Sequence, residues 1–215
     1  FTAKARCPQV FDYLGNLSPK PYFISCTGTS YNLNFQSNSS WGAYSINYGD
    51  GSPTVNGGSY AANTILTHNY AATVDTFVIT LIIPALNCTL TGVVVMEKPV
   101  NASIQIPIGG VTQACAPKTL SFTNSSTDVS PTTHFVWNFG DGSPTVAFTY
   151  TNGGQTITHT YLKNTVNCQT QITLQALNYC SFGNPTIANF NPIQIYDVDQ
   201  AAITPDKLIR CWPDK

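Results

Sequence analysis

Ser45–Thr54 reads SINYGDGSPT, and Val136–Thr145 reads VWNFGDGSPT. Each segment runs from alternating apolar residues, Ile46 and Tyr48 or Trp137 and Phe139, into Gly-Asp-Gly-Ser-Pro. Alternation at period two is the pattern of a strand with one buried face, and a one-residue slip would expose the whole apolar set. Gly-Asp-Gly is turn chemistry. Gly51 and Gly142 accept positive φ, the carboxylates of Asp50 and Asp141 accept bonds from nearby N–H groups, and Asp-Gly predicts a tight hairpin. Pro53 and Pro144 then interrupt the ladder, because proline has no N–H to donate. Gly140 follows Gly49 by 91 residues. Leu66–Tyr70 (LTHNY) and Ile157–Tyr161 (ITHTY) place His159 the same 91 residues after His68. Two motifs at one offset define an internal repeat.

The likeness extends outward. Cys26, Leu33, Phe35 and Asn38-Ser39-Ser40 precede the first motif; Cys115, Leu120, Phe122 and Asn124-Ser125-Ser126 precede the second. Ile79-Thr80-Leu81 and Ile172-Thr173-Leu174 follow, then Asn87-Cys88 and Tyr179-Cys180. On this reading residues 20–98 and 99–197 are complete repeats. Residues 1–19, with Cys7, are the closing strand of an earlier repeat, and residues 198–215, with Cys211 and Trp212, start a following one. The sequence reads as a window on a longer array. Phe1–Cys7 lacks the apolar core of a secretion leader, so any leader has been removed or the chain is an interior piece. Ile172, Leu174 and Ala176 alternate onto one face, as do Phe77, Ile79 and Leu81 in the first repeat. No stretch of twelve residues carries a helical apolar stripe. Short strands with turn signals roughly every 8 to 12 residues, in a repeat of about 90, predict an all-β chain of tandem immunoglobulin-like sandwiches.

Composition narrows the function. The chain has 215 residues, 42% of them hydrophobic, enough for packed cores. Only 9% are charged and the net charge is −1, with no basic stripe between aromatics. Nucleic-acid binding needs an electropositive footprint, so it is set aside. The longest apolar stretch, Phe77–Leu86, is broken by Thr80 and Pro84, which is too short for a membrane-spanning helix. Seven cysteines stand far apart and none forms a C-x-x-C pair. Zinc and thioredoxin-like chemistry lack their spacing, and the pattern predicts disulfides in an oxidising compartment, with one thiol left over by the odd count.

Trp137-Asn138-Phe139-Gly140-Asp141-Gly142, followed by Thr158-His159-Thr160-Tyr161 and an alternating strand, resembles the PKD domain. The first repeat departs from the pattern, with Ile46 in place of the tryptophan and Tyr48 in place of the phenylalanine, but both keep an apolar core position. The resemblance implies a rigid spacer or adhesion module on a secreted or cell-surface protein. Lys98-Pro99-Val100, Cys115-Ala116-Pro117 and Phe122-Thr123-Asn124-Ser125-Ser126 are similar to repeats in long surface proteins of the Bacteroidota, including gliding-motility adhesins and cargo of type IX secretion.

Asp50 and Asp141 are weak calcium candidates, with Asn47 and Asn138 as oxygen donors. The N-x-x-D-G spacing lacks the alternating ligands and late glutamate of a calcium loop, so turn formation is the expected role. His68 and His159 stand in no recognisable nucleophile motif, and their recurrence predicts a structural hydrogen bond to a neighbouring loop. Tyr70 and Tyr161 are expected at a corner between late strands, bonding backbone through their hydroxyls. Trp137 is expected in the core. Trp41, Trp212, Tyr31, Tyr60 and Tyr150 are the aromatics left for stacking on sugar. No cofactor is implied. Sandwich topology predicts that Cys115 meets Cys168 within the second repeat, and that Cys26 and Cys180, on facing ends of consecutive repeats, tie the joint. Asn16, Asn38, Asn87, Asn101 and Asn124 sit in N-x-S/T sequons of a kind that arises by chance in an Asn- and Ser-rich chain.

The resulting expectation is a structural and adhesive rod segment of a long secreted surface adhesin, without catalysis. Its partners would be neighbouring repeats, surface polysaccharide or other cell-surface proteins. The alternative is an accessory polysaccharide-binding or spacer module of a secreted hydrolase.

Overall fold

Segments with period-two alternation become strands throughout the chain. The computed structural model describes residues 7–71, 75–106, 112–150, 155–162 and 168–196. They fall into two units, Phe1–Lys98 and Pro99–Lys215.

The first unit opens on a hairpin of β1 (Val10–Phe11) and β2 (Leu17–Ser18). Then come β3 (Tyr22–Ser25), β4 (Tyr31–Gln36), β5 (Tyr44–Asn47), β6 (Val55–Gly57), β7 (Ile65–Tyr70), β8 (Asp75–Ile83) and β9 (Cys88–Met96). A five-stranded sheet runs β3-β9-β8-β5-β6, and β4 pairs with β7 in a second sheet. Only β3 and β9 are parallel; the other pairs are antiparallel.

The second unit contains β10 (Ile104–Gln105), β11 (Gln113–Cys115), β12 (Lys118–Asn124), β13 (His134–Asn138), β14 (Val146–Thr149), β15 (Thr156–Tyr161), β16 (Gln169–Leu177) and β17 (Thr186–Tyr196). Its five-stranded sheet runs β11-β17-β16-β13-β14, and its smaller sheet runs β10-β12-β15. Strand for strand this is the order of the first unit, with β10 added at one edge. The all-β expectation holds: the chain is built of immunoglobulin-like β-sandwiches. Among the described residues no α-helix occurs; 3-10 turns lie at Pro84–Leu86 and Tyr179–Ser181. None of these is long and apolar enough to cross a membrane.

Each core is filled from both sheets. Leu33 and Phe35 of β4 meet Ile46 of β5 and Ile79 and Leu81 of β8, all fully buried. In the second unit Phe122 of β12 packs with Trp137 of β13 and with Ile172, Leu174 and Ala176 of β16. On β4, β5 and β12 the alternate residues face outward and are polar, as in antiparallel sheets solvated on one side, whereas β8 exposes Val78 and Ile82. Phe77 is only half-buried, packed against the edge of its core.

Two local expectations change. Residues 7–19 belong to the first sandwich: Val10 lies fully within its core, and the Gln9 carbonyl accepts a bond from Ser37 Oγ at 2.5 Å. A short hairpin can close back onto the sheet that follows it, a choice that local sequence pattern does not reveal. The Gly-Asp-Gly segments are wider loops than a two-residue hairpin, because β5–β6 pairing ends at Ile46–Val55 and β13–β14 pairing at Trp137–Val146. Residues 198–215, read as the start of a further repeat, lie outside the described residues.

Candidate functional site

The Gly-Asp-Gly loops project from the five-stranded sheets, and the histidines rise from the smaller ones. Gly49 and Gly51 take φ of +80° and +84°, and Gly140 and Gly142 take +74° and +81°. These left-handed turns on both sides fold each aspartate back over the rim of its sandwich. Gly49 and Gly140 are also places of close approach. A Cβ on Gly49 would lie 2.4 Å from the Val78 carbonyl oxygen, and one on Gly140 2.3 Å from that of Gln171. The Asn47 and Asn138 side-chain oxygens accept the N–H of Gly49 and Gly140, each at 2.8 Å, pinning the loop at its entry.

On β7 the inward positions are Leu66, His68 and Tyr70; on β15 they are Ile157, His159 and Tyr161. His68 Nε2 lies 2.7 Å from Asp50 Oδ2, and His159 Nε2 lies 2.8 Å from Asp141 Oδ2. The other Asp50 oxygen accepts the Ser52 N–H at 3.0 Å and the Ser52 hydroxyl at 2.6 Å. Asp141 Oδ1 likewise accepts the Ser143 N–H at 3.0 Å. The imidazoles stack flat on the loop aromatics, His68 on Tyr48 at 3.8 Å and His159 on Phe139 at 4.0 Å between ring centres. Beneath them Tyr70 donates to the Tyr48 carbonyl at 2.9 Å and Tyr161 to the Phe139 carbonyl at 3.2 Å.

Electrostatics follow the geometry. Burial alone would raise the Asp50 pKa. The Ser52 hydroxyl, His68 and the Ser52 N–H outweigh it and hold the carboxyl at about 2. Asp141 is lowered as well, with His159 and the Ser143 N–H bonded to it against the same desolvation. An ionised carboxylate only accepts, so Nε2 carries the shared proton in each pair. Burial, with Asp50 or Asp141 close by, pushes the Tyr70 and Tyr161 hydroxyls above the usual phenol range and keeps them as neutral donors.

This arrangement is not that of a Ser-His-Asp relay. In a Ser-His-Asp relay the imidazole stands between hydroxyl and carboxylate. Here Ser52 and His68 both bind the carboxylate, so the hydroxyl proton faces Asp50 rather than the imidazole. The carboxylates proposed as calcium ligands are engaged by serine and histidine, and the asparagine oxygens by backbone N–H groups. What the cluster does is join the two sheets of a sandwich at one rim, from loop to facing strand. Ser52, Tyr48 and Phe139 take part although sequence reasoning did not name them as partners. Their signal was their place inside the repeated decapeptide.

The aromatics left for sugar are largely committed elsewhere. Trp41 and Tyr60 are buried and stacked on one another at 3.9 Å between centres. Tyr31 packs against the first core, and Trp212 lies outside the described residues.

Cys7 and Cys88 form a disulfide with their Cα atoms 5.5 Å apart. Cys26, Cys115 and Cys180 are also disulfide-bonded, with Cys26 in the first unit and the other two in the second. The expected Cys115–Cys168 bond does not form, since Cys168 takes part in no disulfide. Topology gives the reason. Cys115 pairs with Tyr196 on β17, and Cys168 adjoins Gln169, which pairs with Gln194 on the far side of β17. Two strand spacings separate them by about 10 Å, beyond the roughly 7 Å a disulfide spans.

The fold and its rim cluster together define a class: immunoglobulin-like sandwiches, each closed by a Gly-Asp-Gly loop locked to a histidine and a tyrosine. A family model of the PKD domain matches residues 101–170, within the second unit. The chain is similar to the N-terminal four Ig domains of Dscam1 isoform 4.44, at 10% identity, a TM-score of 0.40, and coverage of 90% of this chain and 47% of that one. It is similar to an I-band fragment of titin at 11% identity and a TM-score of 0.38, over 90% of this chain and 67% of that one. For murine CEACAM1b the values are 13% and 0.35, over 81% and 96%. The chain spans about half the length of the Dscam1 structures it matches. No curated protein matches its sequence.

Proposed function

We propose that the chain is a structural and adhesive rod segment of a long secreted cell-surface adhesin. One observation carries this reading: the two sandwiches use the same aspartate, histidine and tyrosine side chains to lock sheet to sheet. Disulfides persist in oxidising surroundings and support an extracellular setting. The narrower resemblance, to gliding-motility adhesins and type IX cargo of the Bacteroidota, belongs to the same proposal, as do partners drawn from neighbouring repeats and surface polymers.

Single-molecule pulling on the whole chain tests the mechanical part. The expected record has two separate rupture events, each weakened when the histidine of its repeat is replaced by alanine. Extension without rupture peaks, or peaks indifferent to His68→Ala and His159→Ala, would overturn it. A catalytic domain elsewhere in the full-length protein would instead favour an accessory polysaccharide-binding or spacer module of a secreted hydrolase.

A further inference from the structure

The turns that lead into the last strand of each unit are built alike, and one residue in them is out of keeping. In the first unit the 3-10 turn Pro84–Leu86 ends on Asn87 in the left-handed region, φ +47°, with its N–H bonded to the Pro84 carbonyl at 3.0 Å. In the second, Tyr179–Ser181 ends on Phe182 at φ +50°, with its N–H bonded to the Tyr179 carbonyl at 3.3 Å. By structure, then, Phe182 corresponds to Asn87, and Cys180 stands inside the turn whereas Cys88 follows it. Asparagine tolerates this conformation; a bulky aromatic is strained in it. Phe182 gains no burial in exchange, because it is 74% exposed.

The turn holding it is tied down by hydrogen bonds and a disulfide. The Asn178 N–H donates to Ser181 Oγ at 3.2 Å, and that hydroxyl donates to Asn178 Oδ1 at 2.8 Å. The Tyr179 N–H donates to Thr132 Oγ1 at 3.2 Å, and Cys180 is fully buried and disulfide-bonded. Strain kept at a well-determined position, with the side chain in solvent, is a mark of function. Pre-ordering lowers the cost of binding.

Surrounding chemistry selects the ligand. Leu177–Tyr196 contains no Asp, Glu, Lys, Arg or His, and Asn184, exposed beside Phe182, offers an amide. Charged polymers find no counter-charge in this segment. A neutral sugar presents an apolar C–H face to an aromatic ring and hydroxyls to amides. We infer that the Phe182 turn is a stacking site for a neutral polysaccharide. This deepens the adhesive half of the proposed function and rests on it.

The test is affinity electrophoresis of the whole chain through gels containing cellulose derivatives, α-glucan, mannan or xylan, with alginate as the charged control. Retardation by at least one neutral polymer and none by alginate is expected. Phe182→Asn should weaken binding at least tenfold while leaving the melting temperature equal or higher, because it restores the residue suited to the turn. Phe182→Trp should retain binding. Absence of retardation in every neutral gel, equal retardation of Phe182→Asn, or a lowered melting temperature for Phe182→Asn would overturn the site. So would loss of self-association or protein capture, rather than glycan binding, in that variant. None of these outcomes bears on the rupture events, so the mechanical reading stands or falls separately.

Discussion

Asp50 shows how much one carboxylate is asked to do. It accepts the Ser52 N–H and hydroxyl on one oxygen and the His68 ring on the other, and these bonds hold its pKa at about 2 although burial opposes them. A carboxyl depressed in the folded state contributes stability that is fully present above its unfolded pKa of about 3.9 and is lost as pH falls through the folded value. Urea midpoints of the wild type and of Asp50→Asn should therefore differ most at neutral pH, and the gap should close between about pH 4 and pH 2. A gap independent of pH would mean that ionisation of Asp50 contributes nothing. The sequence disclosed that Asp50 and His68 recur together. It did not disclose that they touch, because the loop and β7 belong to different sheets and meet only when the sandwich closes.

At the scale of elements, the Gly-Asp-Gly loops distinguish two demands on glycine. Gly140 and Gly142 both have positive φ, but only Gly140 lies against backbone, on the Gln171 carbonyl. A Cβ on Gly142 meets nothing within 4 Å. Gly142→Ala should cost the conformational penalty alone, about 1 kcal/mol, whereas Gly140→Ala must also push β16 aside and should cost about 3 kcal/mol. Chemical denaturation of the two variants checks the order, and equal losses would refute the close approach. Strand identity was legible at this scale: the parity of Leu120 with Phe122, and of Ile172 with Leu174, is the parity observed. Loop width was not. Asp-Gly favours a two-residue turn locally, but Asn138 capping Gly140 and the bond that His159 donates to Asp141 stabilise a longer one.

Across the whole molecule, disulfides add what small sandwiches lack in core. Cys7 and Cys88 are separated by 81 residues in sequence. Closing a loop of that length restricts the unfolded chain by about 4 to 5 kcal/mol on the chain-entropy model. Peptide mapping without reduction should recover Cys7 linked to Cys88, and Cys168 as an alkylated thiol. Cys7→Ala should lower the stability of the first unit by a comparable amount. A Cys115–Cys168 peptide would contradict the order of strands in the second sheet.

By itself the sequence determined the repeat, the strand faces and the all-β class, since each depends on local spacing: period two for a half-buried strand, glycine for positive φ, and one offset between motifs. Tertiary structure decided which side chains meet. The Asp–His bonds bridge two sheets, the N-terminal hairpin folds onto the sandwich that follows it, and β17 separates Cys115 from Cys168. Such contacts join residues far apart in the chain, and their distances are set by strand order and spacing rather than by local pattern. The strain at Phe182 is of the same kind, because it became visible only when two turns of different sequence proved to share one backbone conformation.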